Sequence, residues 1–109
     1  MKIDKLLNNY GRTVELNTDG TTKGFKAFIQ PLRYKNKMYL DGVYTQIGFN
    51  SQGHYLYIGP PDPDLTLVKD NAFLFSDGTK YQIDRAERVY NGDSIFYIWA
   101  IIRTIVEVE

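Results

Sequence analysis

The chain has 109 residues, enough for one domain with a single modest core. Lys and Arg total 13, and Asp and Glu total 13, so no global charge points to nucleic acid or an anionic membrane. There is no cysteine, which excludes disulfides, thiol catalysis and cysteine metal sites.

Residues Met1–Asn9 read as a short helix, because Ile3, Leu6, Leu7 and Tyr10 fall on one apolar stripe at i, i+3, i+4, i+7. Gly11 supplies a stop. Such a helix either caps an open end of a β core or binds a partner. The opening residues carry charge and no apolar run follows them. That predicts a protein made and kept in a cytoplasm unless it leaves inside an assembly, and no stretch reaches the roughly 18 apolar residues of a membrane span.

Arg12–Thr18 alternates, with Val14 and Leu16 inward, and reads as a strand. Asp19-Gly20 is a turn. Lys23–Arg33 is a second strand with Phe25, Ala27 and Ile29 on one face and Phe28 on the other; Pro31 marks an edge, a strand end or a bulge. Tyr34–Gln52 is the least regular stretch, with basic residues alternating into tyrosines and an Asp41-Gly42 turn signal. A connection of this length is usually a functional or a mobile loop. Its basic and aromatic residues would suit single-stranded nucleic acid, but a few cations beside tyrosines are also common on ordinary surfaces.

His54–Gly59 is a short strand with His54, Leu56 and Ile58 on one face and Tyr55 and Tyr57 on the other. The run Gly59-Pro60-Pro61-Asp62-Pro63-Asp64 forms a rigid turn, and Asp64 caps one helical turn at Leu65–Val68. Asn71–Phe75 is a further strand, followed by a turn at Asp77-Gly78.

The last stretch is a long hairpin: Lys80–Tyr90, a turn at Asn91-Gly92-Asp93, and a strand from Ser94 to about Val108. At roughly 3.3 Å per residue the apolar run Ile95–Val106 spans about 40 Å, so it must bend around a barrel or sandwich, or project past its domain. Both of its faces are apolar: Ile95, Tyr97, Trp99 and Ile101 on one, Phe96, Ile98, Ala100 and Ile102 on the other. A turn centred on Asn91-Gly92 sets Ile83 opposite Ala100 and Tyr81 opposite Ile102. The Phe96/Ile98/Ala100/Ile102 face then becomes core, and the Tyr97/Trp99 face is free for a partner. A three-residue turn would exchange the two roles. Aromatic residues make up 15% of the chain and nine are Tyr; such rings serve interfaces where one end is apolar and the other wet. Tyr97, Trp99 and Ile101, with Tyr55 and Tyr57, are therefore the candidate subunit interface.

The expected fold is all-β: a single small antiparallel barrel or sandwich with a short N-terminal helix and a long C-terminal hairpin. Catalytic chemistry is not expected. His54 is the only histidine, which leaves no triad and no multi-histidine metal site within one chain. Asp62 and Asp64 lack the further oxygen ligands that calcium requires. The glycines sit in turns and form no phosphate loop. No cofactor is expected.

Tyr55-Leu56-Tyr57-Ile58-Gly59-Pro60-Pro61-Asp62, then Arg85-Ala86-Glu87-Arg88-Val89-Tyr90, Gly92-Asp93 and Tyr97-Ile98-Trp99-Ala100-Ile101-Ile102-Arg103 resemble small neck proteins of tailed phages and Gram-positive prophages. These are the head–tail joining, or head-closure, connectors. The resemblance covers about the last half of the chain. It implies a non-enzymatic β-barrel that forms a ring below the portal, seals the packaged genome and meets portal or adaptor and tail proteins. It also implies location in the virion neck after assembly in the host cytoplasm, with no membrane partner. By the same resemblance Arg33, Lys35, Lys37, Tyr39 and Tyr44 belong to a loop facing the ring channel, near packaged DNA. The alternatives are a tail-completion or terminator protein, and a nucleic-acid-binding small β-barrel, which the neutral charge disfavours.

Overall fold

The structure, a computed structural model, describes residues 3–32 and 53–105. A helix α1 (Asp4–Tyr10) precedes strands β1 (Arg12–Thr18), β2 (Thr21–Pro31) and β3 (His54–Gly59). A 3-10 turn (Leu65–Leu67) leads to β4 (Phe73–Ser76), β5 (Thr79–Asn91) and β6 (Ser94–Thr104). Every pairing is antiparallel and the strands close into a barrel in the order β1-β2-β3-β6-β5-β4. Of the two expected architectures, the barrel is the one present.

The turns follow from their residues. Asp19 and Gly20, and again Asp77 and Gly78, have φ of 52°, 81°, 51° and 80°, the paired left-handed geometry that matches strand twist in a two-residue hairpin. The turn joining β5 to β6 differs from expectation. Gly92 alone has positive φ there and Asn91 pairs with Ser94, so the central residues are Gly92 and Asp93. Glycine at the first central position is the other hairpin solution. This moves the turn one residue along the chain and sets Ile83 opposite Ile102 and Tyr81 opposite Thr104. A shift of two positions keeps each side chain on its face.

The hairpin bends through two irregularities, which leave Phe96 and Asp84 without a directly paired residue. Between them the alternation of β5 is offset. Ala86 and Arg88 lie opposite Ala100 and Ile98, and Val89 lies opposite Tyr97 on the outer side. Val89 therefore leaves the face that it would share with Tyr81 and Ile83 in an unbroken strand. Phe96 leaves the core face and stands edge-on to Tyr97 at 5.5 Å between centroids.

The core consists of the inward rows: Val14 and Leu16, Ala27, Tyr57, Leu74, Tyr81, Ile98, Ala100 and Ile102, closed by Leu65 and Ala72. Large and small side chains alternate across the barrel. Tyr57 lies opposite Ala100, which in turn lies opposite Ala86, and the two alanines leave room for the phenol ring. Of the expected stripe, Leu7 on α1 and Ile3 just before it are buried, while Leu6 and Tyr10 are exposed, so the apolar stripe is narrower than its spacing suggested. Gly11 has extended backbone, not the left-handed form of many helix ends. It is needed for closeness: a Cβ there would lie 2.5 Å from the Leu7 carbonyl and 3.1 Å from Ala27 backbone.

Candidate interaction surface

The exterior of the barrel is apolar on one side. Phe28 of β2 lies opposite Ile58 of β3, which lies opposite Trp99 of β6. One step along, Gln30, Leu56 and Ile101 form the next row. Tyr97 lies opposite Val89 beyond them. Phe28, Leu56, Ile58, Tyr97, Trp99, Ile101 and Val89 are all half-buried and none belongs to the core cluster. Alternation explains this: their chain neighbours Ala27, Tyr57, Ile98, Ala100 and Ile102 point inward and are buried.

Charged and polar groups frame this wall. The Arg85 guanidinium sits 5.7 Å from the Trp99 ring centre and pairs with Glu87. Arg103 Nε lies 3.3 Å from Asp84 Oδ1, and His54 Nε2 lies 3.9 Å from Asp84 Oδ2. Towards α1 the wall continues into a shallow cleft of about 310 Å³ between Tyr10, Phe28 and Ile58.

Of the expected interface residues, Tyr97, Trp99 and Ile101 share this outer wall. Tyr55 and Tyr57 do not. They lie opposite Ile102 and Ala100, so they point into the barrel; Tyr57 is completely buried, and Tyr55 packs edge-on to Tyr81 at 5.3 Å. The outward residues of β3 are instead Leu56 and Ile58. The sequence separates the two faces of β3 but holds no local signal for which one is inside. That is decided by pairing with β6, where Tyr57 lies opposite the small Ala100.

Arg33, Lys35, Lys37, Tyr39 and Tyr44 lie outside the described residues. The chain leaves and returns at neighbouring points: the Leu32 N–H donates to the His54 carbonyl at 3.0 Å, and the Thr104 N–H donates to the Gly53 carbonyl at 2.8 Å.

Two sites of unusual electrostatics lie away from the wall. The Asp64 carboxylate accepts from the Thr66 hydroxyl at 2.6 Å, the Thr66 N–H at 2.9 Å and Arg88 Nε at 2.9 Å. Burial acts to raise its pKa, but these donors outweigh burial and hold it below the ordinary value. Burial pushes the Tyr57 hydroxyl well above the usual phenol range, and it has no hydrogen-bond partner among the described residues. Among the described residues no three metal-ligating side chains converge. No family model matches this chain, and neither a curated protein nor a solved structure matches it.

Proposed function

We propose that this chain is a structural neck component of a tailed phage or prophage, joining head to tail as one subunit of a ring below the portal. The observation that supports the reading is the apolar outer wall of Phe28, Leu56, Ile58, Tyr97, Trp99 and Ile101 on a barrel whose core is already complete. A contiguous apolar wall that stays half-uncovered marks association. The resemblance of the β3 and β5–β6 sequences to head–tail joining proteins supplies the kind of assembly. Closing the genome exit would fall to the stretch with Arg33, Lys35, Lys37, Tyr39 and Tyr44.

The deciding variant is Tyr97→Ser with Trp99→Ser. Both side chains lie on the outer wall, so circular dichroism is expected to match the parent. Addition to portal-containing heads, followed by electron microscopy, is expected to be lost. Normal necks on heads assembled with this variant would refute the interface.

A further inference from the structure

We infer that the barrel carries a second contact wall, formed by Phe73 and Phe75 of β4 with Glu15 of β1, which seats on the Tyr97/Trp99/Ile101 wall of another copy of the chain. This rests on the ring-forming reading above and names the surface that such a ring needs as its other half.

Phe73 and Phe75 flank the fully buried Leu74 and therefore point outward. Phe75 lies opposite Glu15 on one side and Lys80 on the other; Phe73 lies opposite Asn17 and Gln82. A four-residue strand that places two phenylalanines outside, one of them 37% exposed, lacks a folding reason for them. Lys80 Nζ lies 4.8 Å from the Phe73 ring centre, much as Arg85 stands over Trp99 on the other wall.

The placement of the walls selects the kind of association. In the closed order β1-β2-β3-β6-β5-β4, β4 is three strands from β3 and β1 is three strands from β6, whichever way the barrel is followed, so the seam β4/β1 lies across the barrel from the seam β3/β6. The two apolar walls are therefore on opposite sides of the subunit. A two-fold pair would bury one wall twice and leave the other bare. A head-to-tail contact buries both, repeats, and closes as a ring when the rotation allows. At both walls each strand is already paired on its two sides. Contact must then come through side chains and not by adding a strand. The charges agree: Glu15 is exposed and has no ion pair among the described residues, while the facing wall carries two guanidiniums, Arg85 beside Trp99 and Arg103 at its end, whose exposed pairs with Glu87 and Asp84 leave further N–H donors for a second carboxylate.

The absence of native cysteine makes disulfide trapping clean. Phe75→Cys and Ile101→Cys proteins, mixed and oxidised at high concentration, are expected to form a 75–101 linked heterodimer. The double variant is expected to give a ladder of oligomers, and an exposed Asp70→Cys control is expected to give neither. Adding Glu15→Lys to the Phe75→Cys protein should lower the mixed product by about tenfold. Only 101–101 dimers, or mixed product no greater than that of the control, would overturn the inference. A second arm separates it from the neck assignment. If Tyr97→Ser/Trp99→Ser blocks addition to heads while folded Phe75→Ser adds normally, the second wall falls and the neck reading stands. If both add normally, both fall; failure of both supports the paired walls.

Discussion

Tyr57 fills the barrel with a phenol whose hydroxyl has no hydrogen-bond partner among the described residues. Leaving a polar group buried and unpaired costs about 1–3 kcal/mol, so Tyr57→Phe is expected to leave stability unchanged or raise it by about 1 kcal/mol in urea unfolding. The same ring dictates its neighbour. A Cβ on Gly59 would lie 2.1 Å from the Tyr57 oxygen and 2.4 Å from Cζ, and a ring enclosed by the core cannot swing away. Gly59→Ala should therefore cost about 2–3 kcal/mol by overpacking; an unchanged midpoint would contradict the ring position. Asp64 sets a pH dependence. Its folded pKa lies below the ordinary 3.8, so the unfolded chain takes up the proton first. The stability from Thr66 and Arg88 is then present above pH 3.8 and is lost as pH falls through that value towards the folded pKa. Asp64→Asn is expected to cost about 1 kcal/mol at pH 7 and to flatten the acid limb of a stability–pH curve. An acid limb identical to the parent's would assign that dependence to other carboxylates.

The β5–β6 hairpin shows what a local pattern carries and what it does not. The hairpin and the inward row Ile98, Ala100, Ile102 were legible because period-two alternation and Asx-Gly chemistry are local, whereas the residue partners were not: Ile83 lies opposite Ile102 and Tyr81 opposite Thr104. The turn slipped by one residue, since Asn91-Gly92 and Gly92-Asp93 both offer glycine a positive φ. The displacement of Phe96 and Val89 was not legible: an irregularity is a property of two strands fitting a curved wall, and neither strand announces it alone. The same reason hid the inward direction of Tyr55 and Tyr57, which depends on β6. Adjacent positions of β6 make this testable. Ile98 is completely buried, so Ile98→Ala should cost about 2–4 kcal/mol through lost burial and a cavity. Ile83, half-buried at the core margin, should cost roughly half as much. Trp99→Ser, on the opposite face, should shift stability by less than about 1 kcal/mol. Equal losses at Ile98 and Trp99 would place both in the core and refute the one-sided wall.

At the scale of the whole molecule, the barrel completes its core with one face of β6 and leaves the other face half-covered. Burial is worth roughly 25 cal/mol per Å², so covering a few hundred Å² of such a wall adds several kcal/mol to association. The charged residues at its margin, Arg85 with Glu87 and Arg103 with Asp84, exclude a purely greasy fit. Trp99 is the only tryptophan in the chain and stands on this wall, which makes its emission a direct report on whether the wall is covered. In the free subunit the half-exposed indole should respond to an aqueous quencher such as acrylamide. On addition to portal-containing heads the emission should move to shorter wavelength and quenching should fall severalfold, because packing against a neighbouring copy removes water from the ring. A subunit that adds to heads with Trp99 emission and quenching unchanged would mean that assembly uses another surface. The expected change, absent from free subunits mixed with heads lacking a portal, would tie coverage of the wall to the neck itself.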